Sequence, residues 1–211
     1  MIVERDIKLL QYTGGRLHLM NISTKNAVEF IKNAKKQGLK ITCSVPVMNL
    51  CFDDRELSGF DTNFKISPPL RSSEDKTALL KALQDGVIDF VTSNHVPIEG
   101  DLKNLEFPYA KFGVTQLETS FGLLSGSAGK KLNPMLTAKI FSHNPRKIFK
   151  MAQPLIKEGE IAELTIFDPD LNWVYDSQNI LSKSINNPLI GKNLCGKSIS
   201  SIRGKRIFAH S

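Results

Sequence analysis

Histidine and cysteine, the side chains that most often hold transition metals, are scarce here: four and three among 211 residues. Cys43, Cys51 and Cys195 lie far apart and form no CxxC pair. That spacing argues against a thiolate zinc site and against a disulfide framework. No apolar run approaches the roughly 18 residues needed to cross a bilayer, so a membrane-spanning protein is not expected. The opening MIVERDIKLL has neither the apolar core nor the small-residue cleavage site of a signal peptide, and the expected location is the cytoplasm. Repeats and low-complexity tracts are absent, which sets solenoids aside. Gly122, Gly126 and Gly129 follow no strand and have no lysine at phosphate-loop spacing, so they do not read as a nucleotide cradle. Aromatic residues make up only 8% of the chain. The net charge of +7 is therefore not organised for nucleic acid: Lys35-Lys36 and Lys130-Lys131 are doublets with no aromatic residues between them. A solvated surface accounts for the charge, and no nucleic-acid partner is expected.

What remains is a 41% hydrophobic chain long enough for one sizeable core. The opening segment alternates charge with Ile2, Val3, Ile7, Leu9 and Leu10, the pattern of an amphipathic helix. After Gly14-Gly15, the stretch Arg16–Ile22 reads as a strand with Leu17, Leu19 and Asn21 on one face. Ser23-Thr24 suits the cap of a helix from Lys25 to Gln37, with Ala27, Phe30, Ile31 and Ala34 on its apolar side and Gly38 as its stop. The unit then recurs. Lys40–Val45 reads as strand, and an irregular stretch through Pro68-Pro69 leads to a helix over Ser73–Gln84. Glu74 and Asp75 occupy its first turn, where the helix dipole favours acids. Ile88–Thr92 is another short strand. Helices are expected near Thr115–Leu124 and Pro134–Phe141, with a short one after Asn144-Pro145. Alternating strands and helices predict an α/β fold with a parallel sheet. Past Gly159 the pattern changes to short strands at Glu163–Asp168, Trp173–Tyr175 and Lys197–Phe208. The expected division is residues 1–157 as partial β/α barrel and 158–211 as a β-rich segment. The number of βα units is only half that of a barrel, which needs about 250 residues.

Several stretches, in order, resemble the dihydroorotases, zinc-dependent barrel enzymes of pyrimidine biosynthesis in the amidohydrolase superfamily. Arg16-Leu-His-Leu-Met-Asn-Ile-Ser-Thr24 is similar to the family's RLHxxHxST, and Ile41–Leu50 to its VTCEVxPHHL. Lys65-Ile-Ser-Pro-Pro-Leu-Arg71 resembles KxNPPLR, Asp89–Ile98 resembles DxIATDHAPH, and Phe112–Thr119 resembles FGxxGLET. The tail Ser182–Phe208 is similar to the family's closing pattern. The resemblance implies the C-terminal half of a (β/α)8 metal-dependent hydrolase barrel followed by a small β-rich sandwich segment.

It also implies where the family's chemistry would sit. The family holds zinc with imidazoles, and an aspartate moves the proton of the attacking hydroxide. By the motif matches, the ligand positions are Asn21, Met48 and Asn94, and Asn94 also stands at the catalytic aspartate. Asn49 replaces a second histidine, Ser67 the asparagine of NPPLR, and Ile98 a substrate-holding histidine. The HxH metal pair, the substrate-binding arginine and the carboxylated lysine belong to the half of the barrel not represented here. No zinc or other cofactor, and no catalytic residue, is therefore expected in this chain.

His95 and Arg71 remain as residual pocket residues. His95 reads either as a polar contact in the old pocket or as a hydrogen-bonded loop residue; Arg71 reads either as an anion ligand or as a loop-fixing ion pair. His18, of opposite parity to Asn21, should face the helices as a satisfied histidine. His143 reads as a capping or packing residue and His210 as a terminal one. Cys43 reads as core, and Asp53, Asp54 and Glu56 as a solvated helix start. The resemblance implies a catalytically inactive, structural relative that helps aspartate carbamoyltransferase assemble. The alternatives are a functional cyclic-amide hydrolase (dihydroorotase, hydantoinase or allantoinase-like) with altered metal chemistry or completed by another chain, and a damaged or truncated gene product with no independent role. Half a barrel leaves strand edges open, so a homo-oligomer or association with a missing N-terminal half is expected.

Overall fold

The computed structural model describes residues 2–128, 132–176, 178 and 180–209. Gly129, the Lys130-Lys131 doublet and His210 lie outside the described residues.

Helix α1 (Ile2–Thr13) turns Ile7 and Leu10 inward, leaving Ile2 and Leu9 exposed. Strand β1 (Leu17–Leu19), helix α2 (Lys25–Lys36) and strand β2 (Ile41–Pro46) form the first complete unit. The Thr24 side chain caps α2 by accepting from the Ala27 amide. The buried side of α2 carries Ala27, Val28, Ile31 and Ala34; Phe30, expected on that side, is 37% exposed. Helix α3 (Val47–Cys51) follows β2 directly, and sequence reading missed it because five residues give no period to recognise. Helix α4 (Ser73–Gln84) begins where the sequence places it, its Ser72 cap accepting from Asp75 N. Strand β3 (Phe90–Thr92) completes a three-stranded parallel sheet in the order β1-β2-β3, with Leu17 opposite Ile41 and Ser44 opposite Phe90.

The helices after β3 are placed differently from expectation. α5 (Gly100–Lys103) lies in the loop, and α6 (Ser120–Ala128) begins five residues later than the sequence suggests. In α7 (Pro134–Ala138) the helix widens into a π-turn over Lys139–His143 before α8 (Asn144–Ile148). The β-rich segment is one antiparallel sheet, β4 (Glu163–Tyr175), β5 (Lys192–Arg203) and β6 (Arg206–Ala209). The two short strands expected at Glu163–Asp168 and Trp173–Tyr175 are one strand, interrupted by an irregularity between Asp168 and Asn172.

One core serves both sheets. Ile41, Cys43, Val45 and Val91 pack with Ile31 and Leu79, and the same cluster takes in Leu124 of α6 together with Tyr175, Leu189 and Leu194 of the β-rich part. Cys43 is fully buried there, as expected, and burial pushes its thiol up to about 12. On the opposite face of the parallel sheet are His18, Thr42, Ser44 and Phe90. Among the described residues, no strand pairs with the outer edges of β1 or β3.

Candidate functional site

Two of the three residues expected at the family's ligand positions, Asn21 and Asn94, meet at the carboxyl ends of β1 and β3, the end of a parallel α/β sheet where ligand sites are built. β1 stops at Leu19 and the chain then turns through Asn21, whose φ is +55°; beyond β3, Asn94 has φ +48°. Asparagine tolerates the left-handed region better than most residues because its short amide bonds locally. Both amides are engaged. Thr92 Oγ1 donates to Asn21 Oδ1 at 2.7 Å, Asn21 Nδ2 donates to Asn94 Oδ1 at 3.0 Å, and Asn94 Nδ2 donates to the Ser67 carbonyl at 2.9 Å. This chain of three hydrogen bonds ties β1, β3 and the Lys65–Arg71 loop together.

Met48 stands elsewhere in the packing. It is 1% exposed, and the buried Gln116 amide donates to its sulfur at 3.3 Å while Thr119 Oγ1 donates to Gln116 Oε1. Asn49 is equally buried and donates to the Pro69 carbonyl at 3.0 Å; its Oδ1 finds no partner among the described residues.

Tested against zinc, this donor set does not fit. Two neutral amides and a thioether supply neither imidazole nor carboxylate, and their polar atoms are turned on one another. Among the described residues, no three His, Cys, Asp or Glu side chains come close enough to hold a metal ion.

The structure corrects the expected orientation of His18. The left-handed turn at Asn21 breaks the alternation on which a parity argument relies, and His18 points away from the helices. Its Nδ1 lies 2.8 Å from Thr42 Oγ1 and its ring stacks on Phe90 at 5.1 Å, with Phe149 edge-on. Burial holds this imidazole below its ordinary pKa, opposed in part by Asp89. Asp53 is corrected too. It is not solvated but 2% exposed, paired with Lys76 at 2.6 Å and Arg55 at 2.8 Å, and these cations hold its carboxyl well below the usual range.

His95 Nδ1 accepts from the amides of Gln116 at 3.0 Å and Leu117 at 3.3 Å, which ties its loop to the start of the segment leading into α6. Arg71 is exposed; its carbonyl accepts from Asp54 N, and among the described residues its guanidinium forms no ion pair. Ile98 sits against Gly113 and is joined through its backbone to Ser184 and Asn186.

Two buried lysines that sequence reading missed fix the loop between β3 and α6. Lys103 Nζ donates to the carbonyls of Thr62, Lys111 and Gly113, and Lys65 Nζ to those of Phe107 and Pro108. Nothing in local sequence marks a lysine whose partners are all carbonyls. Thr92 and Gln116 were missed as well. Thr92 lies two residues before Asn94 in the same strand end, which was the available signal.

No family model matches the chain. Curated relatives do. The chain is 37% identical over 205 residues to a dihydroorotase of Geobacter metallireducens, covering 96% of this chain and 48% of that protein. It is 40% identical over 197 residues to one from Caldicellulosiruptor saccharolyticus, covering 92% and 46%. Among solved structures, L-hydantoinase from Arthrobacter aurescens matches with a TM-score of 0.88 at 23% identity, covering 99% of this chain and 48% of that one. The inactive dihydroorotase-like domain of a CAD-like multifunctional protein from Chaetomium thermophilum matches with a TM-score of 0.71 at 19% identity, over 95% of this chain and 53% of that one. The fold is thus about half of an amidohydrolase barrel with a separate β-sheet. The chain spans about half the length of the curated relatives it matches, and with them it belongs to the dihydroorotase family, corresponding to its C-terminal, amidohydrolase-like portion.

Proposed function

We propose that this is a dihydroorotase-like protein of pyrimidine biosynthesis whose portion of the barrel is structural rather than catalytic. The observation that carries the reading is the hydrogen-bonded chain Thr92–Asn21–Asn94–Ser67, which occupies the strand ends with amides closed on one another. Asn94 has the shape of a catalytic aspartate but cannot accept a proton near neutral pH. Met48 is held in the core by Gln116.

The role is assembly. Parallel sheets are normally covered on both faces, and an open edge strand presents unpaired backbone groups to a partner. Here, among the described residues, the outer edges of β1 and β3 pair with no strand, and Phe149, edge-on to His18 and Phe90, is 55% exposed. A complementary β/α half, a second copy of the chain, or both complete this surface, and aspartate carbamoyltransferase is the enzyme the assembly supports. The protein works in the cytoplasm. No helix among the described residues is long and apolar enough to cross a membrane.

Zinc content after dialysis against a weak chelator tests the inactive site. Well under one zinc per chain is expected, and one or more would overturn the reading. Sedimentation with aspartate carbamoyltransferase at micromolar concentration tests the partner, and two independently sedimenting species would remove that assignment.

A further inference from the structure

We propose that the cleft between the barrel portion and the β-rich sheet binds a small aromatic carboxylate. The cleft encloses about 540 Å³ and is lined by His95, Leu117, Glu118, Trp173, Lys197 and Ser198, among others. It is separate from the amide chain at the strand ends: none of Asn21, Asn94 or Ser67 lines it.

Its walls divide by chemistry. Leu117 and Leu181, 65% and 80% exposed, and the Trp173 ring supply apolar surface. Lys197 Nζ lies over the Trp173 ring, 5.0 Å from its centre, which holds the cation at this wall of the cleft. His95 adds a donor. Its Nδ1 accepts two backbone amides, which places the neutral ring's proton on Nε2, the nitrogen those amides leave free. Ser198 adds a hydroxyl.

The one carboxylate in this wall, Glu118, is held in place by the protein. Glu118 Oε1 accepts from Leu181 N at 3.1 Å and Ser182 N at 2.7 Å, and Oε2 accepts from Tyr175 Oη at 2.9 Å. Both of its oxygens are engaged by the protein. Among the described residues Lys197, by contrast, makes no ion pair. A flat apolar body against Leu117 and Leu181, carrying one carboxylate toward Lys197 and His95, meets the apolar wall and both of these donors. Sites for small ligands have this composition, mostly apolar with a few convergent polar groups.

Trp173 is the only tryptophan in the chain, so its emission reports occupancy directly. Benzoate serves as the probe and benzamide as its uncharged isostere. Benzoate should change Trp173 emission saturably, with a Kd in about the millimolar range expected of so small a ligand. Benzamide should bind roughly tenfold more weakly or not at all. Lys197→Gln should weaken benzoate by about tenfold, whereas Lys205→Gln, in the exposed turn before β6, should leave it unchanged. His95→Gln keeps an acceptor for the two amides and removes the ring N–H; it should weaken benzoate while leaving the unfolding midpoint near that of the parent. No saturable change with benzoate, equal binding of benzamide, or unaltered affinity in folded K197Q would each overturn the assignment. Zinc content does not enter any of these readouts, so this proposal and the inactive-site reading fail separately.

Discussion

Asn94→Asp restores the carboxylate that the dihydroorotase resemblance implies at this position, and the geometry predicts that it weakens the fold. Asn94 has φ +48°, which Asp tolerates about as well as Asn, so the backbone contribution largely cancels. The carboxylate still accepts from Asn21 Nδ2. It loses the donor that reaches the Ser67 carbonyl at 2.9 Å and sets an anionic oxygen against a carbonyl oxygen in a half-buried place. One lost hydrogen bond is worth about 1 kcal/mol, and the unfavourable oxygen contact adds about 1 more. The expected loss is therefore about 2 kcal/mol at neutral pH, or roughly 4–8 °C in the thermal midpoint for a domain of this size. The pH dependence follows from the same contact. Protonation restores an O–H donor toward Ser67, so the carboxyl's pKa in the folded variant is raised above the ordinary value near 3.9. The deficit relative to the parent is present above that raised pKa and disappears as pH falls through it to below about 3.9. Urea unfolding of both proteins across this range is the assay. Equal stability at pH 7, or a deficit that does not shrink on acidification, refutes the account of the amide chain.

Three other substitutions probe the supports around the site. Lys103→Met leaves the carbonyls of Thr62, Lys111 and Gly113 without their donor and should cost about 3 kcal/mol in denaturant unfolding. Because burial pushes Lys103 down to about 8 in the folded protein, the unfolded chain binds more protons from there up to the ordinary lysine value; the parent should gain stability over K103M across that interval, and parallel pH curves would refute this. Gly113→Ala places a Cβ 2.7 Å from Ile98 Cγ1 and 2.8 Å from the Val96 carbonyl at φ +151°, and a midpoint within a degree of the parent would show that the loop gives way. Asp53→Asn should destabilise at neutral pH, with the deficit against the parent closing as pH falls below about 4, because the depressed Asp53 carboxyl contributes above the unfolded pKa and stops as it is protonated.

These contacts also show why parts of the molecule were legible in the sequence and parts were not. α2 and α4 begin where Thr24 and Ser72 stand, because an N-cap is a local device whose donor and acceptor lie within three residues. The order of strands followed from alternation with helices, and the family motifs located Asn21, Met48 and Asn94. What those residues do was not readable. Asn21 and Asn94 are 73 positions apart, and their bond exists because both leave the strand ends in the left-handed conformation. That same turn reversed the face of His18, since alternation predicts orientation only while the chain remains extended. Asp53 reads as a surface acid until Lys76, 23 residues on, is placed against it. Lys103 reads as an ordinary surface lysine, because its three acceptors are backbone carbonyls that any sequence would supply. The motif matches pick out Asn21 and Asn94, which meet at the strand ends, whereas what these residues do there depends on what they bond to. An asparagine at a ligand position facing open space would leave a place for a metal to return. One already donating to its counterpart across the sheet does not, and in this protein the strand ends are joined by amides instead.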